Sequence, residues 1–380
     1  MQSVYVVGAG IFLPNQAVKN ENLENILGII NGVPSRTKTR IMAGTGITSR
    51  HYAIDPETRK QSHTNAEMTA LAVRNAAANY QLPLEVDLLC SGSSSPDQMV
   101  PSHGLMVHGE LKTPAMEVMT ASGVCCSGVT ALKYAYLSIL AGTARRAIAT
   151  GSELVSNLFR SENLQKEITM RAEDEEKPTL AFQTDFLRWV LSDGAGALYL
   201  ANEPAPCRHS LKIDWVDIIS FAHKLETCMY CGGQKDETGK LVGWREVDPD
   251  QRITGGYLNL SQDVRLLNAN IANITIDETM PILMDRHGLK PENIDWFLPH
   301  YSSSYFRPIV SEHLEKVGFP IPYEKWFTNL TTKGNTGSAS IYIMLEELIS
   351  SGKLKKGDRL LCFIPESARF SVGYMHLTVV

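Results

Sequence analysis

The chain has 380 residues, with 36 basic and 41 acidic side chains, a formal net charge of -5 and 43% hydrophobic residues. This apolar fraction is typical of a globular protein and excludes a disordered, collagen-like or coiled-coil chain. The pI of about 6.1 excludes the overall positive charge that proteins binding nucleic acid or anionic lipid carry.

The cysteine content and the beginning of the chain indicate a reducing environment. No segment approaches the roughly 18 consecutive apolar residues that span a bilayer, and Val4 to Val7 are not preceded by a charged leader. Seven cysteines are an odd number at low density, which disfavours a disulfide framework. We therefore expect a cytoplasmic protein with reactive thiols and with no membrane or nucleic-acid partner.

Apolar runs rich in β-branched residues alternate with longer amphipathic stretches, a pattern that predicts an α/β fold. The predicted strands lie near Ser3 to Val7, Asp87 to Ser91, Ala147 to Gly151, Gly196 to Ala201, Trp296 to Pro299, Arg359 to Phe363 and Gly373 to Val379. The strongest predicted helices run from Asn65 to Tyr80, Gly128 to Ala141, Asp263 to His287 and Ser338 to Ser350. We expect Gly142 and Gly352 to end two of these helices as C-caps.

The two halves of the chain carry similar landmarks at nearly constant spacing. Asp87 and Asp295, which precede two strands, lie 208 residues apart (295 minus 87), and Cys126 and Asn335, which precede two helices, lie 209 apart (335 minus 126). This spacing predicts a duplicated α/β unit of roughly 200 residues, with halves at 1–205 and 206–380. Equivalent loops of such a duplication share one surface, so we expect Cys126, His300 and Asn335 to meet there.

Cys126 stands just before a predicted helix that opens with Ser127 and Gly128. The free N–H groups and partial positive charge of a helix N-terminus favour a thiolate, so this position is suited to a nucleophile. A lone cysteine is more often a buried space-filler, and we expect Cys125 to be that kind. His300 follows a strand end, where loops carry catalytic groups, although a histidine there is often structural. Asn335 alone would equally suit a turn or helix cap.

These segments resemble the ketoacyl-ACP synthase III type of condensing enzyme. The resemblance covers nearly the whole chain in order. It is carried by Tyr5 to Gly10, Thr45-Gly46-Ile47, Val124 to Gly128, Gly151-Ser152-Glu153, Asp193 to Gly196, Leu298-Pro299-His300 and Lys333 to Ser340. The Pro365-to-Phe370 ending and the Pro299-to-Ser303 segment are more similar to ketosynthases of specialised metabolism, including those that form dialkylresorcinol or cyclohexanedione precursors.

The resemblance implies the thiolase fold, two similar α/β halves with mixed sheets sandwiching buried helices, in a homodimer. It implies that Cys126 accepts an acyl group from a thioester, while His300 and Asn335 stabilise the enolate of a second, carrier-bound substrate. Carbon–carbon bond formation then releases a β-keto thioester, in fatty-acid or polyketide-type biosynthesis. Neutral donors stabilise an enolate oxygen without protonating the carbanion. No cofactor or metal is implied beyond the acyl-ACP or acyl-CoA substrates.

Departures from the family pattern concern the donor and the oxyanion hole. Arg40 and Gly44 occupy the positions where the family has a Trp and an Arg that grip the adenine of coenzyme A, which favours a carrier-protein donor. The cationic residues Arg36, Lys38 and Arg40 would then attract an acidic acyl carrier protein. The oxyanion hole is predicted from the backbone N–H groups of Cys126 and Ala368, the latter replacing a glycine.

Glu366 is an unexpected acid beside that loop. It is either a structural partner of Arg369 or an accessory catalytic group.

The sequence disfavours two of three alternatives to the condensing reaction and leaves the third open. A degradative thiolase resembles a pattern with a second cysteine in the C-terminal loop, where this chain has Ser367 to Val372. A non-catalytic partner subunit usually loses the nucleophile. A cysteine-dependent acyltransferase to an alcohol or amine stays open, as do the chain length, the extender, the choice between ACP and CoA and the role of residues 155–190 and 221–260.

Three further patterns are interpreted as structural. Cys228 and Cys231 form a single C-x-x-C, which disfavours zinc, and Gly8-Ala9-Gly10 lacks the third glycine of a dinucleotide site. The acidic run at 172–177 is interpreted as a solvated surface.

Overall fold

A nine-stranded mixed sheet organises the chain. The computed structural model describes residues 2–164 and 186–380, so the acidic run at 172–177 lies outside the described residues. The strands of the large sheet are β1 (Tyr5–Phe12), β4 (Leu88–Ser93), β5 (Glu117–Ser122), β6 (Arg146–Glu153), β7 (Gly194–Ala201), β8 (Leu211–Ser220), β13 (Trp296–Pro299), β14 (Arg359–Glu366) and β15 (Ser371–Val379). Short strands form three two-stranded ladders: β2 (Val18–Lys19) with β3 (Ser49–Arg50), β9 (Met229–Tyr230) with β12 (Ser261–Gln262), and β10 (Gly233–Lys235) with β11 (Leu241–Gly243).

The α-helices with both ends described are α1 (Leu23–Leu27), α2 (Lys38–Thr45), α3 (Asn65–Tyr80), α4 (His103–Leu111), α5 (Cys126–Leu140), α6 (Pro249–Thr254), α7 (Val264–Ala272), α8 (Met280–His287), α9 (Phe306–Lys316), α10 (Leu330–Lys333) and α11 (Ser340–Ser350). Residues 161–164 and 186–190 are also helical. One π-helical turn, Asn273–Asp277, follows α7, and a 3₁₀ turn, Gly337–Ala339, precedes α11.

The predicted strands are all present, and the helix predicted over Asn65 to Tyr80 has those bounds. The capping box at Thr64 and Glu67 explains its sharp start. Gly142 and Gly352 adopt the positive φ expected of C-caps. The sequence prediction missed β5 and β8.

A single helix from Asp263 to His287 was a wrong prediction. A separate helix, α8, begins at Met280 with Pro281 in its first turn, and the Thr275 hydroxyl donates to the Ile271 carbonyl at 2.5 Å beside the π turn. A proline in a helical pattern starts a new helix because it lacks an N–H to donate.

The strand order has the symmetry expected of a duplication. The order is β13-β14-β15-β8-β1-β7-β6-β4-β5, so the two halves join where β1 pairs with β8. At one end β4 is parallel to β5 and β6; at the other, β13 is parallel to β14 and forms a parallel bridge through Phe297 to Trp326. The prediction of a mixed α/β fold is confirmed.

The hydrophobic core crosses the predicted boundary at residue 205. One cluster combines Leu23 and Ile41, from the first half, with Leu267 and Phe306, from the second. The division into 1–205 and 206–380 stays a prediction, and this cluster packs residues from both sides of it into one core.

The central helices α5 and α11 meet at glycines. A Cβ at Gly128 would lie 2.4 Å from the Ser338 backbone oxygen, and the Tyr342 hydroxyl donates to the Gly128 carbonyl at 2.8 Å. A Cβ at Gly151 of β6 would lie 2.3 Å from the same Ser338 oxygen. These contacts leave no room for a side chain, because the helices and the sheet are in backbone-to-backbone contact.

We expect Gly128→Ala to destabilise the protein by about 1–3 kcal/mol, since the new methyl group overlaps the Ser338 oxygen. Gly109 in α4 is the matched control, because a Cβ there meets no atom of the described residues within 4 Å. Gly109→Ala should stabilise its helix by up to about 1 kcal/mol. Thermal unfolding of the two variants should shift in opposite directions, and equal melting temperatures would contradict the close packing.

Candidate active site

The start of α5 carries the predicted nucleophile. Cys126 is the first residue of the helix and is 4% exposed. Its N–H donates to Glu366 Oε2 at 2.8 Å, and its thiol donates to the Ile364 carbonyl at 3.3 Å. Burial, and then the Glu366 carboxylate, raise the pKa of Cys126. The expected stabilisation of a thiolate is therefore wrong, because burial and the neighbouring Glu366 charge both disfavour the anion.

His300 follows β13 directly and is 4% exposed. Its backbone N–H donates to the Phe363 carbonyl at 2.8 Å, which ties the loop to β14. Burial lowers the pKa of His300 to about 4. The imidazole is therefore neutral at physiological pH, with one ring N–H available as a donor.

Asn335 lies between α10 and the Gly337–Ala339 turn. Its Oδ1 accepts from the Gly337 N–H at 2.9 Å, and its backbone bonds to Val190 and Ser192. These contacts hold the side-chain oxygen, so the amide NH₂ is the group left for a ligand. Gly334 before it has φ +69° and no room for a Cβ beside Arg50 and Ser192, which explains the glycine at this position.

One cavity brings His300 and Asn335 together with a cysteine, and that cysteine is Cys125. The cavity has about 630 Å³ of empty space, part of it open to solvent, and a mainly apolar wall. The apolar lining includes Leu187, Met229, Leu267, Ile271, Phe306, Val310 and Phe363. Sequence reasoning treated Cys125 as a space-filler, and adjacent cysteines give no signal of which thiol turns inward. The structure thus places the Cys126 thiol against Ile364 and the Cys125 side chain on the cavity wall.

A second depression adjoins this cavity. It shares Leu267 and Phe306 with the cavity and is also lined by Arg40 and Gly44. Arg40 is exposed, and so is Arg36, which precedes it on the same segment.

Lys38 differs from these two arginines. It forms an ion pair with Glu24, and the two side chains are 19% and 10% exposed. The prediction of Lys38 as a carrier contact does not fit this geometry, because its charge is already neutralised by a carboxylate.

The loop that contains Ala368 is held by the second half of the chain. The Ala368 carbonyl accepts from the Cys228 and Met229 N–H groups at 2.8 and 3.2 Å, and Gln262 Nε2 donates to Ser367 Oγ at 3.1 Å. Met229, Gln262 and Ser367 also line the cavity. Among the described residues φ is positive at Phe370, and Ala368 is not among the non-glycine residues with positive φ, so alanine fits the backbone there.

Glu366 does not pair with Arg369, so the structural alternative proposed from sequence is wrong. Arg369 Nε donates to the Ala222 carbonyl at 3.2 Å, whereas Glu366 accepts from Val124, Cys126 and Ser371. Glu366 thus acts on the start of α5, which sequence spacing gave no means of seeing.

The Cys228 and Cys231 thiols donate to the carbonyls of Asp263 and Leu258, each at 3.3 Å. Within residues 2–164 and 186–380, His, Cys, Asp and Glu side chains form no cluster of three or more suited to a metal ion. The helices in these same ranges include none long and apolar enough to cross a membrane.

Comparisons with known proteins agree with this arrangement of segments. Residues 284–367 match the family model of the 3-oxoacyl-[acyl-carrier-protein (ACP)] synthase III C terminal, and residues 101–205 match the N-terminal domain of β-ketoacyl synthases. The β-ketoacyl-[acyl-carrier-protein] synthase III of Clostridium perfringens strain SM101 is 25% identical over 361 residues, covering 95% of each chain. The enzyme of the same name from Aquifex aeolicus is 26% identical over 356 residues, covering 94% of this chain and 93% of the relative.

Solved structures show the same fold. A cysteine-to-serine variant of Xanthomonas campestris OleA, with bound lauric acid and lauroyl-CoA, has a TM-score of 0.75 at 19% identity and covers 99% of both chains. The tetronic acid condensing enzyme AbyA1 has a TM-score of 0.74 at 20% identity, again with 99% of both chains covered. With its nine-stranded mixed sheet and these matching segments, the chain is a ketoacyl-ACP synthase III-like condensing enzyme with the thiolase fold.

Proposed function

We propose that the enzyme joins an acyl group held as a thioester on Cys126 to the enolate of a second, carrier-bound thioester. The observation that carries this proposal is the convergence of two neutral donors, His300 and Asn335, on the cavity beside the start of α5. An enolate oxygen placed between an imidazole N–H and an amide N–H accepts two charge-assisted hydrogen bonds, which are strong in a site shielded from water.

The reaction has two steps. The Cys126 sulfur first attacks the donor thioester and the carrier thiol leaves with the thiol proton, so Cys126 becomes acylated. The second thioester then forms an enolate, by decarboxylation or by loss of an α-proton, and its carbon attacks the acyl carbonyl. Collapse of the tetrahedral intermediate expels the Cys126 thiolate and releases a β-keto thioester. The thioester bonds supply the driving force, so this scheme requires no cofactor or metal.

Acylation requires the Cys126 thiol to leave the Ile364 carbonyl and turn towards the cavity wall that Cys125 now forms. The N–H groups of Cys126 and Ala368 are the proposed oxyanion hole, and the Cys126 N–H must then exchange Glu366 for the acyl carbonyl oxygen. The apolar wall from Leu267 to Phe306 would hold the acyl chain, since apolar burial favours a hydrocarbon substrate.

A degradative thiolase reaction is disfavoured by the position of Cys362. This residue lies inside β14, is fully buried, and has a pKa raised by burial. It is therefore unsuited to act as the second catalytic cysteine that such enzymes need.

We propose an acyl carrier protein as the donor and a homodimer as the working form. Arg36 and Arg40 are exposed, and Arg40 lines the depression that adjoins the cavity, so they offer a cationic contact for an acidic carrier. The edge strand β5 is paired in the large sheet with β4 alone, and Met99, Val100 and Leu105 nearby in sequence are 63%, 81% and 53% exposed. A second copy would cover this face, as exposed strand edges and apolar residues usually require.

A cytoplasmic location suits a mechanism that depends on reduced thiols. The choice between fatty-acid and specialised polyketide-type biosynthesis is part of the same proposal. The loop Ser367 to Phe370 and the segment after His300 favour the specialised type.

The acylated cysteine is the first prediction of this proposal. After incubation with an acyl-ACP, Cys126→Ala should lose the acyl adduct in intact-protein mass spectrometry, while Cys125→Ala should retain it. Peptide mapping of the parent enzyme should place the adduct on Cys126. An adduct lost in Cys125→Ala but kept in Cys126→Ala would assign the nucleophile to the thiol that now lines the cavity.

His300→Ala and Asn335→Ala should still accept the acyl group but condense about 100- to 1000-fold more slowly, because each removes a preorganised donor. The pKa of about 4 keeps His300 neutral as pH rises above that value. The condensation rate should therefore lack a transition near pH 6.5 from this residue. Product formation by single-turnover kinetics from preacylated enzyme measures this step, and parent-like rates in both variants would contradict the assigned roles.

The carrier-protein contact should be sensitive to salt. Arg36→Glu and Arg40→Glu should each lower kcat/KM for acyl-ACP, because attraction between exposed charges acts over a Debye length of about 8 Å at physiological ionic strength. The matched control is Lys353→Glu, an exposed cation on the loop after α11. An acyl-CoA used with equal or better kcat/KM, unaffected by salt and by both arginine changes, would contradict a carrier donor.

A further inference from the structure

The Glu366 carboxylate binds the backbone N–H groups at the start of α5. Its Oε2 accepts from the Cys126 N–H at 2.8 Å and from the Val124 N–H at 3.0 Å. Its Oε1 accepts from the Ser371 hydroxyl at 3.0 Å. Three hydrogen bonds therefore hold the carboxylate against the positive end of the helix, a favourable place for an anion.

The equivalent strand of the other half ends in the same way. Both β6 and β14 have eight residues, begin with an arginine and end with a glutamate. Glu153, the last residue of β6, accepts from the Ser338 N–H at 3.0 Å, just before α11. Each half thus supplies a carboxylate to the start of the central helix of the other half.

The two carboxylates differ in what they cover. Glu153 is buried and also accepts from the hydroxyls of Ser94 and Ser95, at 2.5 and 2.7 Å. The N–H that Glu153 accepts belongs to Ser338, which is not the proposed nucleophile. Glu366 is half-buried and binds the N–H of the proposed nucleophile itself. An acyl carbonyl oxygen on Cys126 needs that same N–H.

We propose that Glu366 is a positioning residue whose carboxylate accepts the Cys126 N–H in the acyl-free enzyme and is displaced from it by the acyl carbonyl oxygen. The inference rests on the proposed function only in taking Cys126 as the acylated residue. Glu366 is the last residue of β14 and stands between the cavity-lining residues Pro365 and Ser367. The Cys126 N–H keeps a hydrogen bond throughout, because the acyl oxygen replaces the carboxylate as its acceptor.

The same contact restrains the thiol before acylation. A carboxylate beside a thiol disfavours the thiolate, since two negative charges would then face each other. The titratable groups that act on Cys126 are Glu366 and Cys125, and Glu153 acts in turn on Cys125. The pKa of the Cys126 thiol is raised by burial and next by Glu366. Removal of the Glu366 charge should therefore lower it and increase the thiolate fraction at neutral pH.

The test is the pH dependence of alkylation at Cys126 by iodoacetamide, measured by peptide mapping in a Cys125→Ala background, so that neither the adjacent thiol nor the exposed Cys207 and Cys231 contribute to the signal. Glu366→Gln keeps an oxygen that accepts the N–H and removes only the charge, whereas Glu366→Ala removes both. In each variant alkylation at neutral pH should be about tenfold faster, which corresponds to a pKa lower by about one unit. Glu246→Gln is the control, because Glu246 also accepts a backbone N–H, that of Gly243, at a site outside the cavity lining.

Superposed alkylation profiles for the parent and both Glu366 variants would overturn the proposal. Condensation does not enter this measurement. Failure of the proposed function, seen as an acyl group on Cys125 in peptide mapping, is therefore recorded separately from failure of the Glu366 proposal.

Discussion

The backbone contact between α5 and the turn before α11 is the constraint on which the rest of the structure depends. Gly128 approaches the Ser338 oxygen so closely that a methyl group has no room. This approach aligns the N-terminal ends of two helices at the centre of the molecule, where their N–H groups need acceptors. Glu153 and Glu366 supply them reciprocally from the opposite half. The halves are thus joined by polar contacts at the point where the catalytic loops meet.

Burial has opposite consequences for the two kinds of proposed catalytic group at this junction. It keeps His300 neutral, which suits a hydrogen-bond donor to an enolate, because a cationic imidazole would protonate a carbanion. It also keeps the Cys126 thiol protonated, which is unfavourable for a nucleophile. A single low-dielectric site therefore favours the neutral imidazole and the protonated thiol together, and the nearby Glu366 carboxylate further disfavours the thiolate.

The segment between β9 and β12 contributes to the site although it is distant in sequence from the other lining residues. Where the segment begins and ends, Met229 of β9 pairs with Gln262 of β12, and the N–H groups of Cys228 and Met229 donate to the Ala368 carbonyl. The cavity wall and the C-terminal loop are consequently one connected surface, and the π turn after α7 continues the same wall through Thr275. The cavity wall thus combines residues from at least four separate segments of the chain.

The sequence by itself determined the α/β class, seven of the nine strands of the large sheet and the loop positions of His300 and Asn335. These follow from local hydrophobic periodicity, glycine caps and ordered motifs, which neighbouring residues specify. Only the tertiary structure decided that Cys125 lines the cavity, that Lys38 is neutralised by Glu24 and that Glu366 covers the Cys126 N–H. Those contacts join residues 14 to 240 positions apart. Their geometry depends on how two packed helices and the ends of distant strands meet in space, which no local pattern encodes.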